Sequence, residues 1–230
     1  MATLGRGLGA AVPVALGYFP VAISFGIGAA QAGWSVAEAG FVSAIMYSGA
    51  AQFVALSLIA GGTAPLVTIT TLVLMGIRHL FYGPTLARTA GNATFARSAV
   101  WSYGLTDEVF AVALAQLSSK RVAWSEPWLT GLGLGAYASW VSGTVLGAWL
   151  GASSTELPPF ISDALGFMLP ALFLALLLSL LTKDTALVVA SALVATLVAT
   201  AFVTGAAPIF FGMGAAALVA AARDALRRAP

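Results

Sequence analysis

Six apolar runs of membrane-spanning length follow one another along the chain, and they restrict the fold more than any other feature. They occupy residues 8–30, 37–60, 65–87, 98–118, 128–150 and 160–181. A transmembrane helix needs about 20 apolar residues, so each run can cross a bilayer. Only 8% of the residues are charged, against about 25% in soluble domains. The sequence therefore predicts an all-α, polytopic membrane helix bundle that forms a single domain over residues 1–230.

A last apolar stretch, 186–222, is too long for one span, and Gly205 and Pro208 divide it into two short helices. With eight crossings, one side of the membrane carries only Arg88 and Arg97. The other side carries Arg6, Lys120, Arg121, Lys183, Arg223, Arg227 and Arg228. The positive-inside rule then places both termini in the cytoplasm. With seven crossings the basic residues divide four against five, so the sequence favours eight spans, or seven with a re-entrant piece.

An arginine and an aspartate lie at the same predicted depth in two neighbouring runs. Arg78 is ten residues before Arg88, and Asp107 is ten residues after Arg97. At a rise of about 1.5 Å per residue, both lie about 15 Å from the connecting turn, near the middle of a hydrocarbon layer about 30 Å thick. Ionisable groups at that depth usually face a partner charge or a water-filled path. The two residues therefore indicate either a substrate or ion route or a structural ion pair.

Polar residues in these runs could form a site for a neutral amino acid. Its carboxylate needs a cation or a helix N-terminus, and its ammonium group needs an acceptor. Arg78, Gln52, Asp107 and Glu108 supply such groups. His79 could carry a coupling proton because histidine titrates near neutral pH, although a lone histidine is more often a packing residue.

Glycine and proline are predicted to interrupt several of the helices. The interruptions are expected at Pro20 and Gly26 in the first run, Ser48, Gly49 and Gln52 in the second, Gly83 and Pro84 in the third, and Gly166 and Pro170 in the sixth. Such residues free main-chain groups, which must find partners inside the protein or in a wet cavity. Transporters hold substrate carboxylates at half-helix N-termini and cations at freed carbonyl groups.

The ends of the runs and the fifth run carry packing signals. Ser35 followed by Glu38 predicts a capping box, which gives Glu38 a structural role. Five tryptophans near run ends are expected to anchor the protein at the membrane interface: Trp34, Trp101, Trp124, Trp128 and Trp149. Small residues recur every four positions at Gly131, Gly135, Ser139, Gly143 and Gly147. This small-residue stripe favours close helix packing, with a neighbour that is either a helix of the same chain or a second subunit.

Five motif regions lie in order along most of the chain. They are Gly17-Tyr18-Phe19-Pro20 with Ser24-Phe25-Gly26, Tyr47-Ser48-Gly49-Ala50-Ala51-Gln52-Phe53, Arg78-His79-Leu80-Phe81-Tyr82-Gly83, Leu105-Thr106-Asp107-Glu108-Val109-Phe110 and Pro170-Ala171-Leu172-Phe173. Together they resemble the AzlC-type branched-chain amino acid permeases, which often have Asn where this chain has Gly76. The resemblance implies export of branched-chain or similar neutral amino acids across a bacterial inner membrane, together with a small AzlD-type membrane subunit.

The residues and the resemblance together give a set of expected site residues. Those expected to face the substrate are Pro20, Gly26, Ser48, Gln52, Arg78 and Tyr82. Those expected to form a coupling site or a buried polar core are His79, Asp107 and Glu108. The expected function is gradient-coupled secondary transport of small neutral amino acids. The alternative is a channel or transporter for another small solute or ion, in which Arg78 and Asp107 form a structural pair.

The sequence contains little evidence for catalysis or cofactor binding. The chain has no cysteine, which excludes thiolate metal sites, and it has no P-loop motif. Ser48 and His79 could suggest an intramembrane protease, but Met46 stands where a Gly-x-Ser motif has glycine. A channel would favour a repeated filter motif, which the chain lacks. We therefore expect no enzyme activity, metal, cofactor or nucleic-acid partner, and the net charge of only +2 agrees with the last of these.

Overall fold

Helices form the regular structure of the chain wherever it is described, which confirms the predicted helical membrane fold. The computed structural model describes residues 3–87, 95–121, 123–153, 181–182, 185–205 and 207–228, and also Phe167, Ala171, Leu174, Leu177 and Leu178. Three helical stretches within these residues are long and apolar enough to cross a membrane, Leu4–Gln31, Pro65–Ala87 and Ala207–Leu226. The number of crossings and their orientation stay predictions.

The helices belong to two compact units, Met1–Leu169 and Pro170–Pro230. The described helices of the first unit are α1 (Leu4–Gln31), α2 (Val36–Ile45), α3 (Gly49–Ala60), α4 (Pro65–Gly76), a 3-10 helix (Ile77–Phe81), α5 (Tyr82–Ala87), α6 (Phe95–Tyr103), α7 (Asp107–Ser118) and α8 (Glu126–Ser153). Those of the second unit are α9 (Ala186–Thr200) and α10 (Ala207–Arg228).

The first unit is organised around the contact between the two 28-residue helices, α1 and α8. The small-residue stripe of α8 lies against α1 at Gly131, Gly135, Ser139, Gly143 and Gly147. The hydroxyl group of Ser139 donates a hydrogen bond to the carbonyl oxygen of Ala15 at 2.7 Å. A Cβ atom on Gly147 would lie 2.2 Å from the carbonyl oxygen of Ile23. The neighbour of the stripe is therefore a helix of the same chain.

Helix α1 is continuous through both of its prolines, Pro13 and Pro20. The predicted interruption of the first run near Pro20 and Gly26 is wrong. A proline removes one main-chain hydrogen bond, but α1 packs against α8 along its length, and neighbouring helices keep such membrane helices in place. Gly26 serves this packing, because a Cβ atom there would lie 2.2 Å from the carbonyl oxygen of Thr144.

Three other spans are interrupted. The run 37–60 forms α2 and α3 with non-helical residues 46–48 between them, which confirms the break predicted near Ser48 and Gly49. In the third run the interruption predicted at Gly83 and Pro84 is wrong, because α5 continues through both residues and the irregular segment is the 3-10 helix Ile77–Phe81. Pro84 lies in the first turn of α5, where its missing N–H would have no helical partner. The fourth run is broken at 104–106, where no break was predicted. The sixth-run break predicted at Gly166 and Pro170 lies outside the described residues.

At the run ends, the capping-box prediction is confirmed, whereas the interface prediction is wrong for two of the tryptophans. Glu38 donates its backbone N–H to the Ser35 hydroxyl at 3.2 Å and accepts the Ser35 backbone N–H at 2.7 Å, so the capping box is confirmed. The prediction that Trp101 and Trp128 anchor the protein at the interface is wrong, because their side chains are 1% and 2% exposed. They lie on α6 and α8, which pack against each other, and burial of their large apolar rings stabilises that contact.

In the second unit, α9 and α10 pack together across a short turn. Gly205 in this turn has φ 71°, a left-handed conformation that favours glycine. The predicted division of the last apolar stretch into two helices is confirmed. Gly212 permits the close contact, because a Cβ atom there would lie 2.0 Å from the hydroxyl oxygen of Thr196.

Candidate functional site

The candidate site is formed where the three interrupted spans meet. Tyr103, just before the break at 104–106, donates a hydrogen bond to the carbonyl oxygen of Ala44 at 2.5 Å. This contact joins the break to the C-terminal end of α2. Arg78 lies in the 3-10 helix that interrupts the third run, and it pairs with Asp107 at the start of α7. The ion pair therefore joins this 3-10 helix to the break at 104–106.

The predicted meeting of Arg78 and Asp107 is confirmed. Nη2 of Arg78 lies 2.9 Å from Oδ2 of Asp107, and the hydroxyl group of Tyr82 donates a hydrogen bond to Oδ1 of the same carboxylate. The side chains of Arg78 and Asp107 are 39% and 33% exposed. Nε of Arg78 is nevertheless buried and has no hydrogen-bond partner among the described residues. The pair therefore has an open side and one unused donor.

Glu108 lies beside this pair but binds a different helix. The hydroxyl group of Tyr18, on α1, donates a hydrogen bond to Oε2 of Glu108 and lies 2.6 Å from the hydroxyl oxygen of Thr106. Thr106 is the N-cap of α7 and accepts the backbone N–H of Val109 at 3.4 Å. Tyr18 therefore holds the N-terminal end of α7 against α1.

Gln52 fills the inside of the break between α2 and α3. Its side chain is fully buried; Nε2 donates to the carbonyl oxygen of Met46 at 2.5 Å, and Oε1 accepts the indole N–H of Trp140 at 3.1 Å. The structure thus places both ends of this amide in hydrogen bonds with the protein. A main-chain carbonyl group freed by the break is satisfied internally, as a low-dielectric environment requires.

Replacing Gln52 with leucine is expected to lower the free energy of unfolding by about 2–3 kcal/mol, because the Met46 carbonyl and the Trp140 indole would lose buried hydrogen-bond partners. Thermal unfolding of the purified protein in detergent measures the change. The same substitution at the partly exposed Gln116, on α7, serves as the matched control and should have a small effect. Equal losses at both positions would contradict this role of Gln52.

Four tyrosines that the sequence analysis did not assign to the site line the interruptions. Tyr103 and Tyr137 both donate to the Ala44 carbonyl oxygen, at 2.5 Å and 3.0 Å. The ring of Tyr47 packs edge-on against Tyr137, with centroids 5.0 Å apart. Tyr18 is the fourth. The sequence signal that could have identified these tyrosines was a hydroxyl group in an otherwise apolar run, because a buried tyrosine hydroxyl usually needs a hydrogen-bond partner.

The remaining expected residues have different surroundings. Ser48 is the N-cap of α3, but its side chain makes no capping hydrogen bond. Nδ1 of His79 lies 3.2 Å from the carbonyl oxygen of Gly76, and its ring packs edge-on against Tyr82 at 5.2 Å. Pro20 lies within α1, two residues after Tyr18, and Gly26 contacts α8 away from the interruptions.

Comparison with known proteins identifies the family of the chain. The sequence profile of the AzlC protein family matches residues 13–153, a segment that contains all three described interruptions. The chain belongs to the AzlC family. Its membership confirms the resemblance carried by the sequence motifs. No solved structure matches this AzlC-family chain.

Three relatives illustrate how widely this AzlC-family sequence is shared. The chain is 41% identical over 197 residues to inner membrane protein YgaZ of Escherichia coli (strain K12), covering 85% of the chain and 80% of YgaZ. It is 35% identical over 173 residues to an uncharacterized membrane protein of Archaeoglobus fulgidus, covering 75% and 74%. It is 24% identical over 175 residues to the branched-chain amino acid transport protein AzlC of Bacillus subtilis (strain 168), covering 75% and 66%. The chain is a multi-pass membrane protein, like these relatives.

Proposed function

We propose that this AzlC-family protein is a secondary transporter that exports branched-chain or similar small neutral amino acids across the bacterial inner membrane. The observation that carries the proposal is that three interrupted spans meet, through the Arg78–Asp107 ion pair and through the hydrogen bond from Tyr103 to the Ala44 carbonyl oxygen. Secondary transporters bind substrates where discontinuous helices meet near the membrane midplane. The names of the Bacillus subtilis and Escherichia coli relatives support the substrate class and the membrane.

Arg78 is the proposed partner of the substrate carboxylate. One of its terminal nitrogens binds Asp107, whereas Nε has no described partner and can donate one further hydrogen bond. The stacked rings of Tyr82 and Phe110, with centroids 4.5 Å apart, lie next to the pair and provide apolar surface. A carboxylate with an attached aliphatic side chain suits this combination of charge and aromatic surface.

Energy for export is proposed to come from an ion gradient. The sequence contains no P-loop that would bind ATP. His79, which lies against Tyr82, is the proposed carrier of a coupling proton because an imidazole can bind and release a proton. A small AzlD-type membrane subunit is the proposed partner, on the basis of the family resemblance.

Efflux from proteoliposomes tests this function. Vesicles containing the protein, with and without the small subunit, are loaded with labelled leucine, isoleucine, valine or methionine. We expect substrate-selective, saturable efflux well above that of protein-free vesicles, and loss of concentrative transport when the proton and sodium gradients are collapsed. Absence of any amino-acid flux with or without the subunit would contradict the proposal. Concentrative transport that survives the collapse would contradict gradient coupling alone.

The second candidate is a channel or a transporter for another small solute or ion, with Arg78 and Asp107 as a structural pair. One observation favours it: both carboxylate oxygens of Asp107 already have partners, Arg78 and Tyr82. Flux that rises linearly with concentration and shows no competition between amino acids would support a channel.

A further inference from the structure

Glu108 carries a carboxylate that forms no ion pair with a basic residue in the described part of the chain. The site places two adjacent acids, Asp107 and Glu108, next to one arginine, and Arg78 pairs with Asp107 at 2.9 Å. His79 faces the Gly76 carbonyl oxygen and the Tyr82 ring. No basic side chain in the described part of the chain lies within ion-pair distance of Glu108.

Because Glu108 is partly buried, the lack of an ion-pair partner for its carboxylate costs free energy. Glu108 lies beside the break at 104–106, and its described side-chain hydrogen bond comes from the neutral hydroxyl of Tyr18. The N-terminal end of α7 contributes a favourable partial positive charge, but not a full one. A carboxylate removed from water without a cation carries a cost of several kcal/mol. The site therefore attracts one further positive charge.

Tyr47 supplies an independent observation at the same place. Its side chain is 8% exposed, and its hydroxyl oxygen is buried without a hydrogen-bond partner among the described residues. Tyr47 belongs to the loop between α2 and α3 and directly follows Met46, whose carbonyl oxygen accepts the Gln52 amide. Gln52 accepts the indole N–H of Trp140, and the Trp140 ring packs edge-on, at 5.2 Å, against Tyr18, which donates to Glu108. Tyr47 therefore lies beside the same network of contacts as Glu108. A buried hydroxyl group without a partner indicates a ligand or ion that the surrounding protein does not provide.

We infer that Glu108 and Tyr47 form the subsite for the α-ammonium group of the transported amino acid. This assignment rests on the proposed function. An ammonium group carries one positive charge and three N–H donors, so it can satisfy the Glu108 carboxylate and the Tyr47 hydroxyl oxygen together. With Arg78 at the carboxylate, the two ends of a zwitterion would then contact neighbouring parts of one site.

A proton on Glu108 is the main competing explanation. Protonation would remove the uncompensated charge, but it would leave the Tyr47 hydroxyl without a partner. A metal ion is a poorer fit, because the described residues include no group of three His, Cys, Asp or Glu side chains that could hold one. The ammonium group accounts for both the charge of Glu108 and the vacant hydrogen bond of Tyr47.

The assignment is tested by measuring the binding of three related probes to the full chain. The small subunit is included where the two proteins purify together. The probes are leucine, leucine methyl ester, which keeps the ammonium group, and 4-methylpentanoate, which lacks it. Glu108→Gln should weaken binding of leucine and its methyl ester by about 30-fold, the size expected for loss of a charge-assisted hydrogen bond. Binding of 4-methylpentanoate should change by less than about 2-fold, within the range of a neutral contact.

Two further variants keep the test decisive. Tyr47→Phe removes only the hydroxyl group and should weaken the two ammonium-bearing probes by about 5-fold, as for a neutral hydrogen bond. Glu38→Gln makes the same chemical change as Glu108→Gln at the capping box of α2, where glutamine also caps, so binding should be unchanged. Thermal unfolding of each variant separates lost binding from lost folding.

Each outcome decides between specific explanations. Unchanged leucine binding in both Glu108→Gln and Tyr47→Phe would overturn the ammonium subsite. The same result together with loss of pH dependence of transport in Glu108→Gln would assign the coupling proton to Glu108 instead. Equal weakening of all three probes in folded variants would also overturn it, because the effect would not depend on the ammonium group. A wild-type protein that binds none of the probes would instead contradict the proposed function.

Discussion

Replacing Arg78 with lysine is expected to lower leucine efflux by about 100-fold or more while the protein still folds. Lysine keeps the positive charge that compensates Asp107, but it lacks the planar guanidinium fork and the Nε donor proposed to bind the substrate. A 100-fold loss corresponds to about 2.7 kcal/mol of lost transition-state or binding free energy. Initial efflux rates from proteoliposomes and thermal unfolding measure the two effects separately.

Two controls distinguish a substrate contact from a structural pair. Arg6→Lys makes the same change at an exposed position at the start of α1 and should leave transport unchanged. Arg78→Gln leaves Asp107 without its cation and should destabilise the protein by about 1–3 kcal/mol, less than for a fully buried pair because the two side chains are 39% and 33% exposed. Adding Asp107→Asn should restore folding without restoring transport. Wild-type transport by the Arg78→Lys variant, or by the double variant, would show that the pair is only structural.

Replacing Gly26 with alanine is expected to lower the free energy of unfolding by about 3 kcal/mol or more, at the upper end of the usual cost of overpacking. The added Cβ atom would lie 2.2 Å from the carbonyl oxygen of Thr144 and 2.5 Å from the backbone nitrogen of Ala148. Both atoms belong to the backbone of α8, so the clash is relieved only if the two helices separate. Thermal unfolding and the yield of folded protein after membrane extraction measure the loss.

Gly17→Ala provides the matched control on the same helix. A Cβ atom on Gly17 meets nothing within 4 Å, and alanine is the better helix former by about 1 kcal/mol. Its stability should therefore be equal to that of the wild type or higher. Equal, small effects at Gly17 and Gly26 would show that α1 and α8 do not pack as closely as described.

Local patterns in the sequence predicted much of the framework. The apolar runs gave the helical membrane class, and the Ser35–Glu38 spacing gave a capping box that the structure contains. Counting residues from the basic turn placed Arg78 and Asp107 at equal depth, and the two side chains do meet. These predictions succeeded because each depends on the rise of a helix or on hydrogen bonds between residues three positions apart.

The arrangement of the helices and side chains around the site depends on contacts between residues that are far apart in the sequence. Proline in α1 suggested a break, yet close packing on α8 keeps that helix continuous. The break at 104–106 contains Gly104 and the N-cap Thr106, which are local helix-end signals, and Tyr18, 88 positions away from Thr106, helps to hold it. The substrate roles of Ser48, Gln52 and Tyr82 stay predictions, since contacts within the protein do not test them.

The sequence by itself determined the membrane class, the helices and the family, because composition and spacing act through local geometry and through the cost of exposing charge to lipid. The depth of the ion pair in the membrane stays a prediction. Only the tertiary structure decided that α1 is continuous, that the fourth run breaks at 104–106, and which hydroxyl groups surround the acids. It connects the α2–α3 loop, which contains Tyr47, to Glu108 at the start of α7 through Gln52, Trp140 and Tyr18. Such encounters depend on how whole helices pack, and no periodic pattern in one helix specifies the partner it meets across the bundle.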